Sequence, residues 1–310
     1  MGSEQRLINI FIYIRYNSAK LELTATKVLN IVRLNTSVHP SSVCLEGIGF
    51  DFWTYNIDGK WIFRFPTHHV VAEALNFERE FTRELSISVP IPHIEFYIAY
   101  PIGFHLPIVG YHRLSGSSLK NFQYAKVSTS VLSKQLGKVL SEIHSTIPDF
   151  KKIVSHPFLK PTIEPQEFQL LKGKISESEL GFVKGVIKQS ETLQLSDPKV
   201  LVHGDLSAEN ILVNETVKLT GILDWTNRQL GNRAYDFVGL WMWGGEKFVD
   251  EVLEHYEFEL SPAEKSILPA WGLITFIGRF TRELEEGREF KKHYLYRLFR
   301  DRIQELARLA

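Results

Sequence analysis

The sequence contains little cysteine and no excess of either charge, and each shortage excludes a class of protein. Cys44 is the single cysteine among 310 residues, so the chain can form neither an internal disulfide nor a cysteine-based zinc cluster. The 36 basic and 36 acidic residues cancel, which argues against nucleic acid as the main partner because phosphate backbones attract basic surfaces. With 44% hydrophobic residues the composition is that of a globular protein, and a reducing cytoplasm fits it best.

Long hydrophobic runs are also missing. The apolar run "INIFIYI" at residues 8–14 is far too short to span a bilayer. It lacks a small-residue cleavage site and is soon followed by Arg15, so we expect no signal peptide. We predict no membrane partner, and we interpret residues 1–20 as a strand or a loosely held extension.

The first third of the chain has the pattern of a small, mostly β lobe. The run 23–34 has the apolar spacing of a short helix, and two β-rich runs within 43–66 flank Asp58-Gly59, a pair typical of a hairpin turn. The segment 70–85 is predicted to be helical, with charge on one side and apolar residues on the other. Two or three further short strands are predicted before about residue 110.

The rest of the chain has a more helical pattern. The segment 127–146 is predicted to be one long amphipathic helix and 167–193 two helices, with a Pro-rich loop at 156–165 between them. Two short strands and a loop are predicted around residues 201–213. After Asp236 the chain is predicted to be helical again, with breaks near Ser261-Pro262 and Gly287.

The stretch "LVHGDLSAENILV", residues 201–213, places polar side chains between two β-prone runs. Asp205 and Asn210 have the Asp-x-x-x-x-Asn spacing of a kinase catalytic loop, with His203 upstream, and Asp224 ends the next aliphatic run. Phosphoryl transfer needs an acid beside the acceptor hydroxyl and ligands for Mg²⁺, which prefers carboxylate and amide oxygens. The pattern therefore favours a catalytic Asp205 with Asn210 and Asp224 as magnesium ligands. The alternative is a turn capped by Asx side chains.

Together, "HGDLSAENILV", "GILDW" and "YDFVGLW" resemble the antibiotic phosphotransferases, the aminoglycoside and macrolide kinases, which share a protein-kinase-like fold. Upstream, "GIGFDFWTYNIDGKWIFRFP" is similar to the nucleotide-loop hairpin of that family, "NFEREF" to its paired-Glu helix and "GYHRLSG" to its hinge. The resemblance covers the chain from about residue 24 onward. It implies an α+β fold of two lobes. Residues 1–110 would form the nucleotide-binding lobe, with 1–20 as an extension, and 111–310 the hinge and the helical lobe with the acceptor site.

The resemblance also implies roles for single residues. Asp205 would be the base, or at least the positioner, for the acceptor hydroxyl. Arg64 stands where protein kinases carry the strand lysine that contacts the α- and β-phosphates, and its partner would be Glu80. The planar fork of arginine is not interchangeable with an ammonium, so the alternative is an exposed strand arginine. Glu78 and Glu84 compete with Glu80, whose alternative role is a solvated helix charge.

Further residues are assigned to the nucleotide by the same resemblance. Gly47 and Gly49 would let backbone N–H groups approach the phosphates, although plain hairpin geometry explains both equally well. Backbone groups around Tyr111, His112 and Leu114 would pair with the purine edge. Because backbone recognition leaves little side-chain signature, the sequence does not separate ATP from GTP.

Two neighbours of the catalytic motif are interpreted as structural. His203 is expected to brace the loop by bonding nearby backbone, and Asp236 matches a family position that ties the loop to a helix. An arginine immediately before Asp205 and an Ala-Pro-Glu segment, both expected in a protein kinase, are absent from the sequence. A small-molecule acceptor is therefore favoured.

Two patterns in the sequence favour different classes of acceptor, an aminoglycoside and a macrolide. From Glu246 to Glu289 there are eleven acids against five bases, a difference of minus six, and an acidic rim would attract a polycationic aminoglycoside. The same region is rich in tryptophan, phenylalanine and leucine, which we expect to be mostly core but which could line an apolar cleft for a macrolide.

From these patterns we expect an enzyme that uses Mg²⁺ and ATP or GTP to phosphorylate a hydroxyl of an antibiotic, which would confer resistance. The alternatives are a kinase for a metabolite such as choline or a sugar, and a non-catalytic nucleotide-binding module. A monomer or weak dimer is expected.

Overall fold

A computed structural model describes residues 23–49, 51–147, 163, 165–193, 195, 199–285, 289 and 293–309. Its described residues divide into two units. The first holds the residues up to Glu84 together with Pro92–Arg113, and the second holds Leu85–Ile91 together with the residues from Leu114 onward. A β-sheet dominates the first unit and helices dominate the second, so the predicted α+β class is confirmed.

The first unit is built on a five-stranded antiparallel sheet. Its strands are β1 (Val43–Ile48), β2 (Phe52–Ile57), β3 (Trp61–Pro66), β4 (Ile94–Ile98) and β5 (Ile108–His112). They lie in the order β1-β2-β3-β5-β4, so β3 and β5 are interior strands. This position matches the nearly continuous burial of both strands.

The sheet carries a different helix on each face. Helix α1 (Ala25–Asn35) packs Val28, Ile31 and Val32 into one cluster with Phe63 and Phe65 of β3. Helix α2 (His69–Glu84) contributes to the opposite cluster, which contains Ile62 of the same strand. Because successive strand residues point to opposite faces, Arg64 lies on the side of Ile62 and hence of α2.

A tight turn joins β2 to β3. Asp58 and Gly59 have φ values of 54° and 68°, the left-handed conformation that two-residue hairpin turns require. The Asp58 carboxylate accepts hydrogen bonds from the backbone N–H groups of Ser41 (3.1 Å) and Ser42 (2.6 Å) and from both serine hydroxyls. These bonds, led by the Ser41 hydroxyl, lower the pKa of Asp58 to about 2. The predicted hairpin at Asp58-Gly59 is therefore confirmed.

Six helices are described in the second unit, and several large aromatic side chains lie in its core. The helices are α3 (Ser130–Ser145), α4 (Pro165–Leu171), α5 (Glu177–Ser190), α6 (Tyr235–Leu253), α7 (Pro262–Glu285) and α8 (Tyr294–Leu309). Trp225, Trp243, Trp271, Phe276 and Phe280 are buried among them. α6 bends at Gly245, whose φ of 75° and ψ of −168° interrupt the helix.

Short strands in the second unit flank the polar motif. β6 (Ser117–Ser118), β8 (Ile211–Val213) and β9 (Leu219–Ile222) form one small sheet, and β7 (Val200–Val202) pairs with β10 (Gln229–Gly231). Short 3-10 turns lie at Leu119–Asn121, Tyr124–Lys126 and Trp225–Asn227. The loop 203–210 thus joins β7 to β8, as the sequence predicts.

Several predicted elements can be compared with the described residues. The predicted helices at 23–34, 70–85 and 127–146 are confirmed within a few residues, and two helices lie within 165–190 as expected. The extension at 1–20 and the break at Gly287 lie outside the described residues, as does nearly all of the loop at 156–165. In the part of the chain that is described, no helix is both long and apolar enough to cross a membrane.

Replacing Asp58 by asparagine tests the turn. The pKa of Asp58 in the fold, about 2, lies below the value of about 4 in an unfolded chain. Its charge therefore stabilises the fold above about pH 4, and that contribution is lost as the pH falls toward 2. We expect Asp58→Asn to lower the melting temperature by a few degrees near neutral pH, with a gap that narrows below about pH 4 and closes towards about pH 2. Asparagine tolerates the left-handed conformation, so a gap independent of pH would contradict this account.

Candidate active site

A glycine fixes the passage from β7 into the 203–210 loop. Gly204 has a φ of 84°, and a Cβ added there would lie 2.1 Å from the carbonyl oxygen of Asn227. Only glycine fits so close to that backbone. The next residue, Asp205, is therefore held at a defined place at the end of β7.

Asn210 lies against Asp205 and against the chain that leads to Asp224. Its Nδ2 donates to the carbonyl oxygen of Asp205 (2.9 Å) and to Asp205 Oδ2 (3.2 Å). The N–H of Leu223 donates to the carbonyl oxygen of Asn210 (2.8 Å). The three residues singled out in the sequence thus come together, and these bonds leave the Asn210 side-chain oxygen unused.

Asp224 follows β9 in a conformation that is rare for a residue with a side chain. Its φ of 60° and ψ of 77° are left-handed, which costs about 1–2 kcal/mol for a residue other than glycine. The hydroxyl of Thr226 donates to Asp224 Oδ1 (2.7 Å). Backbone strain at an acid is typical of functional sites. The contribution of Thr226 is not visible in the sequence, because a threonine two residues after an acid is common.

The electrostatic surroundings of Asp205 work against its ionisation. Burial raises the pKa of Asp205, the nearby guanidinium of Arg279 opposes that rise, and the charge of Asp224 adds to it. An aspartate with a raised pKa is a better proton acceptor than a free one, which suits a general base.

The donor set of Asn210 and Asp224 fits magnesium better than a softer metal. Among the described residues, no group of three or more His, Cys, Asp or Glu side chains is placed to hold a metal ion. Mg²⁺ needs no such cage, because it retains waters and takes one or two protein oxygens together with the phosphates of a substrate. One carboxylate and one amide oxygen meet that requirement.

A buried network braces the 203–210 loop from behind. The Asp236 carboxylate accepts the N–H groups of His203 (2.8 Å) and Gly204 (3.0 Å), and it contacts His144 Nε2 (3.2 Å). The other ring nitrogen of His144 is bonded to the hydroxyl of Tyr256. Although burial alone would raise it, these bonds hold the pKa of Asp236 below its ordinary value.

Among the residues that the structure describes, the ring of His203 bonds to backbone groups. Its Nε2 contacts the carbonyl oxygen of Leu223 (2.9 Å), and its Nδ1 accepts the N–H of Asp205 (3.2 Å). The ring is fully buried against Trp225, at 4.5 Å between ring centroids. The predicted bracing roles of His203 and Asp236 are therefore confirmed.

Arg279 of α7 reaches the proposed base, and sequence reasoning did not predict it. Its Nη2 lies 3.4 Å from Asp205 Oδ1, and its Nη1 lies 2.5 Å from Glu209 Oε2. Burial alone would lower the pKa of Arg279, but the charges of Asp205 and Glu209 raise it above its ordinary value. No local pattern indicates this contact, because about seventy residues separate α7 from the loop.

The predicted partner of Arg64 is wrong. Arg64 Nη1 donates to both carboxylate oxygens of Glu78, at 2.9 and 3.0 Å, whereas Glu80 is exposed. The periodicity of α2 explains the difference, since Val71, Leu75 and Glu78 follow the helical stripe that packs on the sheet, and Glu80 lies off it. That stripe was the signal in the sequence that identifies Glu78.

Arg64 is buried, contrary to the alternative of an exposed strand arginine. It is 4% exposed, and its guanidinium carbon lies 3.8 Å from the centre of the Phe52 ring, within range of a cation–π interaction. An ion pair at such depth needs both members, because removal of one leaves an uncompensated charge.

The residues assigned to the nucleotide by resemblance have varied surroundings. Gly47 lies within β1, and a Cβ there would meet nothing within 4 Å, so its surroundings do not require glycine. Gly49 donates its N–H to the carbonyl oxygen of Phe52 (2.8 Å). These observations favour neither phosphate binding nor plain hairpin geometry for the two glycines.

The predicted purine-binding segment begins at the end of β5. Tyr111 is buried, while His112 is exposed and stacks on Trp61 at 3.9 Å between ring centroids. Leu114 is half-buried at the start of the second unit's long segment. The N–H of Arg113 already donates to the carbonyl oxygen of Lys60 (2.8 Å), so it is not a free donor for a purine.

The positions of the acids and aromatics from Glu246 onward differ from those that the two acceptor hypotheses require. Glu246, Asp250, Glu251 and Glu254 line two adjoining cavities of about 430 and 510 Å³, whose walls include none of Asp205, Asn210 and Asp224. Both oxygens of Glu251 accept protein hydroxyls, from Tyr124 (3.0 Å) and Thr129 (2.6 Å). The tryptophans and the phenylalanines of this region that lie on α6 and α7 are buried, as expected of core residues. They do not offer an open apolar cleft.

The corrected ion pair leads to a matched test in α2. Glu78→Gln would leave the buried Arg64 charge without its carboxylate, and we expect a loss of about 3–5 kcal/mol in the free energy of unfolding. Glu80→Gln, two residues away and exposed, is expected to change it by less than about 0.5 kcal/mol. Urea unfolding of both variants measures the difference. Equal effects would contradict the assignment of Glu78 as the partner.

Comparison with known proteins gives one family and a common fold. Residues 46–269 match the model of the family described as "Phosphotransferase enzyme family". The uncharacterized protein YcbJ of Bacillus subtilis (strain 168) is 25% identical over 256 residues, which is 75% of this chain and 80% of that protein.

Solved structures share the fold at lower identity. The GDP and kanamycin complex of APH(2")-IIia has a TM-score of 0.67 at 20% identity and covers 91% of this chain and 98% of that one. The macrolide 2'-phosphotransferase MphH from Brachybacterium faecium has a TM-score of 0.60 at 18% identity and covers 85% and 93%. The family match spans most of the sequence and includes the 203–210 loop and Asp224. This chain belongs to the phosphotransferase enzyme family.

Proposed function

We propose that this phosphotransferase transfers the γ-phosphate of ATP or GTP to a hydroxyl group of a small molecule. An antibiotic of the aminoglycoside or macrolide type is the first candidate acceptor, with resistance as the consequence. Proteins of the same fold have been solved as a GDP and kanamycin complex and as macrolide 2'-phosphotransferases, which supports this candidate.

The observation that carries the proposal is the convergence of Asp205, Asn210 and Asp224. Asn210 bonds Asp205 through its amide nitrogen, and its backbone is bonded to the residue before Asp224. This arrangement suits a division of labour in which Asp205 serves the acceptor hydroxyl while Asn210 and Asp224 serve the cation. Phosphoryl transfer relies mainly on such positioning and on charge stabilisation.

Each of the three residues has a distinct role in the proposed reaction. Asp205 orients the acceptor hydroxyl and accepts its proton as the oxygen attacks the γ-phosphorus. The bond between the γ-phosphorus and the oxygen that bridges it to the β-phosphate breaks, and ADP or GDP leaves. Asn210 and Asp224 would hold Mg²⁺, which, when bound with the nucleotide, offsets the negative charge of the β- and γ-phosphates. The brace from Asp236 to His203 and Gly204 keeps the Asp205 backbone from shifting during the reaction.

The first unit is proposed to serve the nucleotide. Arg64, fixed by Glu78, would contact the α- and β-phosphates, and the backbone of Gly47 and Gly49 would approach them. The purine would pair with backbone groups of Tyr111, His112 and Leu114. Burial of Arg64 between Glu78 and Phe52 supports a fixed cation in this role, since a fixed charge needs no reorganisation when the nucleotide binds.

A small metabolite is the second candidate acceptor, and one observation favours it. The charged residue of α7 that contacts Asp205 is a base, Arg279, whereas an acidic rim was the argument for a polycationic antibiotic.

A third possibility, a module that binds nucleotide without transfer, predicts thermal stabilisation by nucleotide and no turnover.

The proposal predicts a split between turnover and binding. Asp205→Asn should lower the rate of phosphoryl transfer about a hundredfold or more, because it removes the proton acceptor and keeps the size of the side chain. Nucleotide affinity should stay close to that of the unchanged protein. Asp224→Asn should instead weaken nucleotide binding in the presence of Mg²⁺ and leave magnesium-free binding nearly unchanged.

The measurement combines a panel of antibiotics and hydroxylated metabolites with both nucleotides, followed by mass detection of one added phosphate. Calorimetric titration of the nucleotide with and without Mg²⁺ gives the binding arm. Full activity of Asp205→Asn would overturn its catalytic role. Nucleotide binding with no product from any acceptor, and no nucleotide hydrolysis, would instead support the non-catalytic module.

A further inference from the structure

Arg279 contacts the proposed base directly and retains unused hydrogen-bond donors. A guanidinium has five N–H groups, and the contacts with Asp205 Oδ1 (3.4 Å) and Glu209 Oε2 (2.5 Å) use two of them. Among the described residues these are its hydrogen-bonding partners. The side chains of Arg279 and Asp205 are 20% and 31% exposed, so a bound molecule can reach both.

The geometry of Asp205 decides where an acceptor hydroxyl can approach. Its Oδ2 already accepts from Asn210 at 3.2 Å, while within the described part of the chain Oδ1 has only the longer contact to Arg279 at 3.4 Å. A hydroxyl that gives up a proton must come within about 2.6–3.2 Å of the acceptor oxygen. Oδ1 is therefore the oxygen open to the hydroxyl, and the carbon that carries this hydroxyl comes to lie beside the guanidinium.

The charges around this position do not favour a cation. Glu209 also contacts Lys120, at 3.8 Å, so the two acids Asp205 and Glu209 face the two bases Arg279 and Lys120. No surplus of negative charge remains in this group of four to bind a polycation, and Asp224, whose charge also acts on Asp205, is assigned to Mg²⁺ in the proposed function. An ammonium group next to the reacting hydroxyl would be repelled by the positive charge of Arg279. An oxyanion at the same place would instead accept charge-assisted hydrogen bonds from the guanidinium.

Glu209 holds the guanidinium in place for such a contact. Arg279 Nη1 is fixed by its short bond to Glu209, and Tyr294 in turn bonds Glu209. A pre-oriented planar fork loses little freedom when it binds a carboxylate or phosphate, which is the geometry that arginine matches best.

We propose that Arg279 is a specificity-determining residue that binds an oxyanion, carboxylate or phosphate, next to the hydroxyl that is phosphorylated. The inference rests on the proposed phosphoryl transfer. Of the two candidate acceptors, an antibiotic and a small metabolite, it favours a metabolite that carries an acidic group. Arg279 touches the acceptor in this account, whereas Glu209 acts through Arg279 as a positioning residue.

Four probes on one three-carbon frame test the proposal. The probes share a diol and differ in the group next to it, which is a carboxylate, a phosphate, a hydroxyl or an amine. They are D-glycerate, glycerol 3-phosphate, glycerol and 3-amino-1,2-propanediol. Each is titrated, up to about 50 mM because small ligands bind weakly, into the full chain with Mg²⁺ and a non-hydrolysable ATP analogue, and binding is followed by ligand-observed NMR. We expect one of the two oxyanions to bind at least about tenfold more tightly than glycerol, and the amine to bind most weakly. The first two probes distinguish a carboxylate from a phosphate.

Two variants separate recognition from folding. Arg279→Gln should reduce the preference for the oxyanion over glycerol to about onefold, because it removes the charge and most donors. This variant leaves Asp205 and Glu209 without their cation, so its melting temperature is measured first. Arg279→Lys keeps the charge without the fork, and it should retain a preference for the oxyanion over the amine even where Arg279→Gln does not fold.

The outcomes are distinct for the inference and for the proposed function. The inference would be overturned by equal binding of all four probes or by tighter binding of the amine. It would also be overturned by the absence of oxyanion binding at the highest concentration, or by a preference for the oxyanion that remains in Arg279→Gln. Failure of the full chain to bind the nucleotide analogue would instead overturn the proposed function. An oxyanion preference that disappears in Arg279→Gln while nucleotide affinity is unchanged supports both.

Discussion

A single buried carboxylate, that of Asp236, holds the backbone on which the site depends. It accepts the N–H groups of His203 and Gly204 and contacts His144, so three donors converge on one charge with no exposed surface. Buried charge is tolerated only where such bonds replace water. Because Gly204 precedes Asp205, any shift of this carboxylate would move the proposed base, and α3 and α6 are thereby joined to the chemistry.

The surroundings of Asp205 act on its pKa in opposite directions. Burial and the charge of Asp224 raise its pKa, and the guanidinium of Arg279 opposes them. A base must be deprotonated to accept a proton yet basic enough to hold it, so opposing influences serve the reaction better than either alone. A magnesium ion on Asp224 would weaken one of the influences that raise the pKa, which would favour the ionised base when the nucleotide is present.

Local pattern and motif spacing predicted much of the fold and the centre of the site. Signals from neighbours within a few residues, or from one motif, can be recognised in a sequence. They identified the Asp58-Gly59 turn, the main helices and the set of Asp205, Asn210 and Asp224. The partner of Arg64 was misassigned because Glu80 matched a family spacing, while the period of the apolar stripe selects Glu78. Arg279 could not be predicted, because its contact with Asp205 depends on the packing of α7 against a loop about seventy residues away.

The two arginine–carboxylate clusters in this protein differ in how freely the guanidinium can change its partners. Arg64 is almost fully buried, and Glu78 receives two bonds from it, so the pair is a fixed charge held by packing. Arg279 is shared between two acids and remains partly exposed, with its longer contact on the residue proposed to react. A shared, partly open guanidinium can exchange a weak internal contact for a stronger one with a bound molecule, whereas Arg64 in its proposed role would contact the phosphates while it keeps its bonds to Glu78. The proposed recognition of the acceptor's charge therefore depends on Arg279 of the second unit, a residue that no motif marks.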